Sequence, residues 1–125
     1  MVAKSEQILK RLRAICMAFP EATERLSHGE PTWFVQDKKV FVSFDDHHHG
    51  ADRIAMTCPA PAGVQAALVD EEPRRFYVPA YVGHRGWIGV RLDVDVNWDE
   101  VAGIVDDAYR LVAPKKLIAQ LDSSH

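Results

Sequence analysis

Between Pro73 and Leu92 the chain carries Arg74, Arg75, Arg85 and Arg91, with His84 among them and no acidic residue. At the chain-wide frequency of 18 acids in 125 residues, a window of this length holds roughly three. The window bears +4, so the net −3 of the chain leaves −7 for everything else. Tyr77, Tyr81 and Trp87 are interleaved with the arginines. Guanidinium groups pair with phosphate and rings stack on exposed bases, so this composition suits a nucleic acid such as DNA. Arg75, Arg85, Arg91 and Trp87 are the central candidates, with Arg74 and His84 beside them. Lys115 and Lys116 extend the patch if the C-terminus folds back. The same chemistry serves a smaller partner: a pocket near Tyr81, His84 and Arg85 would hold an anionic small molecule. A plainer reading stands beside both, in which Trp87 and Val90 enter the core and the arginines solvate the other face. The sequence pI of about 6.0 also lies below the value above about 9 expected of a dedicated nucleic-acid binder.

A second cluster is His47, His48 and His49, which follows Asp45 and Asp46. Imidazole and carboxylate are ligands for zinc, nickel or iron. Alternate residues of a strand share a face, so His47 and His49 converge there while His48 does not. A closed structural zinc site needs further ligands, and neither cysteine is near in sequence. Adventitious metal binding is the plainer outcome, and no resident cofactor is expected. For catalysis, the sequence holds no nucleophile elbow, phosphate loop, zinc-protease helix or dinucleotide fingerprint. Gly83, Gly86 and Gly89 recur at every third position and make none of these. His28 and His84 have the chemistry of an acid or base, and Tyr81 that of an assistant, but nothing in the sequence pairs them. A binding protein is therefore expected before an enzyme.

These residues must be positioned by a few recognisable elements. Ile8, Leu9, Leu12, Ile15, Cys16 and Phe19 fall at helical spacing, with Ser5 as N-cap and Pro20 as the stop. Glu24 to His28 and Thr32 to Val35 read as short strands. Gln36, Asp37 and Lys38 form a turn before a strand from Lys39 to Phe44, with Val40, Val42 and Phe44 on one face and Phe41 on the other. Asp45 to Gly50 reads as a loop and Arg53 to Cys58 as a strand with Ile54 and Met56 on one side. A second helix runs from Ala60 to Asp70, with Pro59 and Pro61 at its start. Tyr81 to Leu92 reads as extended chain with a bulge or turn at its glycines. Asn97 and Glu100 form a variant capping box for a third helix through Val101, Ile104, Val105, Ala108, Leu111 and Val112. Pro114 breaks it, and Leu117, Ile118 and Leu121 suggest a short last helix. This order predicts one α+β domain over residues 1–125, an antiparallel sheet packed by helices.

With 125 residues, 47% hydrophobic and 26% charged, the composition excludes global disorder and supports a core without metal or disulfide staples. Cys16 and Cys58 read as small core residues. In the PTWFV run, one of Trp33 and Phe34 must face away from the core. An exposed ring there would mark a groove or a self-association contact. A homo-oligomer is not otherwise indicated. Lys10, Arg11 and Arg13 interrupt any signal-peptide core, and no apolar run reaches membrane-spanning length, so a cytoplasmic protein with no membrane partner is expected.

The segments PTWFVQDKKVFVSF, DDHHHGADRIAMTC, PAYVGHRGWIGVRL and DDAYRLVAPKKL resemble, in order and spacing, the MmcQ/YjbR family over about residues 5–117. HRGWIGV followed by AYRLV is the most specific part. The resemblance implies a CyaY-like α+β fold, similar to that of frataxins. It also brings a label of DNA binding, common in the family by analogy with a double-wing arrangement of strands, and no catalytic residue or cofactor. Frataxins are associated with an acidic helical ridge and iron. Here the first helix carries Lys10, Arg11 and Arg13, so that property does not carry over.

Overall fold

The computed structural model describes residues 4–46 and 53–124. The N-terminal apolar spacing forms α1 (Lys4–Met17), which buries Ile8, Leu12 and Cys16 along one stripe. Ser5 lies inside this helix and does not cap it. Two strands follow, β1 (Ala22–Ser27) and β2 (Glu30–Val35). His28 and Gly29 between them have φ of 54° and 82°. Positive φ at both positions is the turn pattern whose twist matches a two-residue hairpin. Gln36 and Asp37, at φ 54° and 58°, make the next turn, closed by Lys38 N–H on the Val35 carbonyl at 3.0 Å.

Strict alternation along β3 (Lys39–Asp46) would separate Phe41 from Val42 and Phe44. The pairing overturns that expectation. Trp33 pairs with Val42 and Phe34 with Val40, which leaves Phe41 as an extra, unpaired residue. Such a bulge turns two successive side chains to one side, and both Phe41 and Val42 enter the core. Phe41 presents to Phe19 and Tyr109 at centroid distances of 5.9 and 5.4 Å, edge to face. The Tyr109 hydroxyl donates to the Pro20 carbonyl at 2.7 Å, so this buried phenol is satisfied. The strand also runs on through Asp46, into the expected loop, because Asp45 and Asp46 pair with Ala55 and Ile54 of β4 (Ile54–Cys58).

The second helix, α2 (Val64–Glu71), starts later than expected. Pro59 and Pro61 precede it, and a turn closed by Val64 N–H on the Pro61 carbonyl, with Gly63 at φ 85°, comes first. The predicted extended segment from Tyr81 divides as well. A 3-10 turn occupies Gly83–Arg85 and only β6 (Ile88–Arg91) is strand. Its partner β5 (Phe76–Tyr77) is two residues long, too short to leave a periodic signal. Asn97 Oδ1 accepts from the backbone N–H of Asp99 and Glu100 at 3.0 and 3.2 Å, capping α3 (Trp98–Val112) as its sequence suggests. After Pro114 comes α4 (Lys115–Ser123).

The strands form one antiparallel sheet in the order β1-β2-β3-β4-β6-β5. Trp33, Val35, Val42, Phe44, Met56, Phe76, Ile88 and Val90 share one core with Leu12, Cys16, Val101, Val105, Tyr109, Leu117 and Leu121 of α1, α3 and α4. Trp33 is fully buried, and its Nε1 donates to Glu24 at 2.9 Å. Phe34 faces the other way yet is only 4% exposed, because the Arg25 guanidinium lies 3.9 Å from its ring centre. Neither ring offers the self-association contact the sequence left open. Cys16 and Cys58 are buried free thiols, as expected of core residues. Burial pushes the Cys58 thiol up to about 12 and the Cys16 thiol well above its ordinary value.

Candidate ligand cleft

The sheet face away from the core carries the alternate residues: Thr32, Ser43, Asp45, Arg53, Thr57 and Tyr77. With the segment Pro79–Val82, Arg85 and Trp87, they line a cleft of about 1230 Å³. The β1–β2 turn contributes Ser27 and His28, and β3 contributes Lys39 and Val40.

The wall is built by unusual backbone. Val82 N–H bonds the Ala80 carbonyl at 2.8 Å around Tyr81, whose φ is 67°. This is a γ-turn of the rare, strained hand, carried by a non-glycine residue. It leaves the Tyr81 side chain 78% exposed at the cleft. The 3-10 turn that follows is fastened from α2: Gln65 Nε2 donates to the Gly83 carbonyl at 2.8 Å and to the Trp87 carbonyl at 2.6 Å. Trp87 is half-buried, outside the core cluster, with the Arg85 guanidinium 5.5 Å from its ring centre.

At the floor, Tyr77 lies flat on Gly89, where any Cβ would overlap its ring. Its hydroxyl donates to Asp45 Oδ2 at 3.3 Å. Burial first, and then the Asp45 charge, push the phenol up to about 12, so it stays a neutral donor. Arg53 covers the outer face of the ring at 3.7 Å, and its Nε is buried with no hydrogen-bond partner among the described residues.

The basic window does not assemble as one surface of free cations. Arg85, Trp87 and Tyr81 reach the cleft, while exposed His84 does not line it. Arg74, Arg75 and Arg91 line a separate groove of about 730 Å³ together with Glu71, Glu72 and Asp95. Within it, Arg75 bonds both oxygens of Glu72 at 2.9 Å and also pairs with Glu100. Arg91 holds Asp93 in a fork at 3.0 and 2.9 Å. Lys115 and Lys116 are exposed at the start of α4 and line neither groove. His47, His48 and His49 lie outside the described residues. Among the described residues no three His, Cys, Asp or Glu side chains form a metal-binding group. No helix among them is long and apolar enough to cross a membrane.

Sequence reading missed Arg53, Thr57 and Ser43. The alternation in β4 marked Arg53 and Thr57 as facing away from Ile54 and Met56. Only the strand order places them under the Tyr81–Trp87 wall.

Fold and geometry together define a small α+β protein with a helix-covered core face and an open, cleft-bearing sheet face. The YjbR family model matches residues 17–111, and the chain belongs to the YjbR family. The crystal structure of the Deinococcus radiodurans protein DR2400, with a DUF419 domain, is similar in fold. The two share 16% sequence identity, over 86% of this chain and 80% of that one, with a TM-score of 0.71. No curated protein matches the sequence.

Proposed function

We propose that this protein binds a small molecule carrying a flat ring and an acid group, in the cleft over the open sheet face. The observation that carries this reading is the pair of guanidinium groups lining one cleft, Arg85 beside Trp87 and Arg53 over Tyr77, neither in an ion pair with a carboxylate among the described residues. An arginine laid on an aromatic ring is partly desolvated and so binds an incoming carboxylate or phosphate more strongly than a water-exposed charge. The strained γ-turn at Tyr81 supports the same site, since stored backbone strain clusters at ligand clamps. DNA binding through Arg74, Arg75, Arg85, Arg91, Trp87, Lys115 and Lys116 is the competing reading. It has less to work with, because Arg75 and Arg91 already hold carboxylates.

Isothermal titration tests the two together, using aromatic carboxylates and phosphates in one arm and single- and double-stranded DNA in the other. Small anions should bind, and Arg85→Ala should weaken them by about tenfold, the usual cost of losing a charged hydrogen bond. DNA that binds with a log–log salt slope of about −2 to −4, in the absence of small-anion binding, would replace this reading with the other.

A further inference from the structure

The strand register aligns one residue from every strand in a single line across the sheet. Arg25, Thr32, Ser43, Thr57, Gly89 and Tyr77 are successive cross-strand partners. Side chains alternate along each strand, so this line faces away from the helices, and Thr32, Ser43, Thr57 and Tyr77 of it line the cleft. Its middle is a row of hydroxyl-bearing residues on neighbouring strands, the strands lying about 4.8 Å apart. Thr32 is spent internally: its hydroxyl donates to the Glu30 carbonyl at 3.1 Å and lies 3.4 Å from that of Ser43. Thr57 lines the cleft, and its side-chain hydroxyl makes no hydrogen bond with any described residue. Trp87 stands two residues before Gly89, roughly 7 Å along an extended chain. On the other side of the hydroxyls Arg53 folds over Tyr77, with Nε buried and unpartnered. Along the strands the cleft therefore offers an aromatic ring, then hydroxyls, then a guanidinium.

We infer that the ligand has three parts in that order: a flat ring against Trp87, a sugar whose hydroxyls meet Ser43 and Thr57, and an acid group at Arg53. This rests on the cleft reading above and narrows it to ring–sugar–acid molecules. Nucleoside monophosphates and aryl glucuronides share that chemistry. The cleft, at about 1230 Å³, exceeds what a bare aromatic acid fills.

The test is titration of the full chain with four probes: adenosine 5′-monophosphate, 4-nitrophenyl β-D-glucuronide, phenyl phosphate and ribose 5-phosphate. At least one of the first two should bind about tenfold or more tighter than phenyl phosphate and than ribose 5-phosphate; which one it is identifies the acid. Thr57→Val keeps the side-chain shape and removes the hydroxyl. It should weaken the sugar-bearing probe about 3- to 10-fold, the worth of one or two net hydrogen bonds, and leave phenyl phosphate unchanged. Thr57→Ser should restore the loss. Phenyl phosphate binding as tightly as both sugar-bearing probes would overturn the inference and leave the flat-anion reading standing. An unchanged affinity in a folded Thr57→Val protein would do the same. If none of the four binds, both fall.

Discussion

Gly89→Ala isolates the contact on which the cleft floor is built. Gly89 has no positive φ, so its backbone accepts alanine, and the substitution alone removes unfolded-chain entropy worth about 0.4–1 kcal/mol in favour of the fold. The new Cβ, however, would overlap the Tyr77 ring at three of its carbon atoms. That ring is wedged between the sheet and the Arg53 guanidinium, 3.7 Å above it, and tied to Asp45. It must be driven off the sheet, an overpacking cost of about 1–3 kcal/mol. For a chain of this size each kcal/mol moves the melting temperature by roughly 3–6 °C, so Gly89→Ala should lower it by several degrees. The control is the same substitution in a Tyr77→Ala background, where nothing stands above the Cβ. There it should be neutral or raise the melting temperature. Thermal unfolding of the four proteins in the cycle reads the coupling directly. Equal destabilisation by Gly89→Ala in both backgrounds would refute the argument that the glycine exists to seat the ring.

Three further outcomes follow from the packing. Glu24 is held below the usual carboxylate range chiefly by its bond to Arg13 at 2.8 Å. A lowered native pKa gives stability that is present above the unfolded value of about 4.3 and is lost as pH falls through the native one. Wild type should therefore lose more melting temperature than Glu24→Gln between pH 5 and pH 3. The difference should be small, about 1 kcal/mol or less, because Arg13 is 44% exposed. Phe41→Ala empties the centre of the Phe19–Phe41–Tyr109 group and should cost about 3–5 kcal/mol in urea unfolding. The buried thiols of Cys16 and Cys58 should resist a disulfide reagent at pH 8 in the native protein and react only on unfolding.

The basic window shows how far residue chemistry carries before geometry intervenes. In sequence it is a run of cations without acids. In the fold, carboxylates arrive from elsewhere: Glu72 from just past α2, Glu100 from the first turn of α3, and Asp93 from the residue but one after Arg91. All three lie outside the window, Glu72 and Asp93 at its two ends and Glu100 brought to it by α3, so no count made within it could anticipate them. Arg85, in the 3-10 turn and against Trp87 at the cleft, pairs with no carboxylate among the described residues.

Local signals were sufficient wherever one element's own residues decided its form. The spacing of Ile8, Leu12 and Cys16, the Asn97 cap and the turn at 36–38 match the fold, because helix periodicity, capping and turn chemistry act over a few neighbours, whereas His28, expected to end a strand, lies in the turn with Gly29. By themselves these residues determined an α+β chain with buried thiols, and its strand and third-helix segments resemble the YjbR family. What needed the tertiary structure was every feature that depends on register. The bulge at Phe41 exists only relative to β2. The two-residue β5 is a strand only because β6 lies beside it. Thr57 of β4, Arg53 just before that strand and Tyr77 of β5 meet Trp87 only once β4, β6 and β5 are set side by side. A strand's alternation tells which side chains face away from the core. Only the order and register of its neighbours tell what they face together.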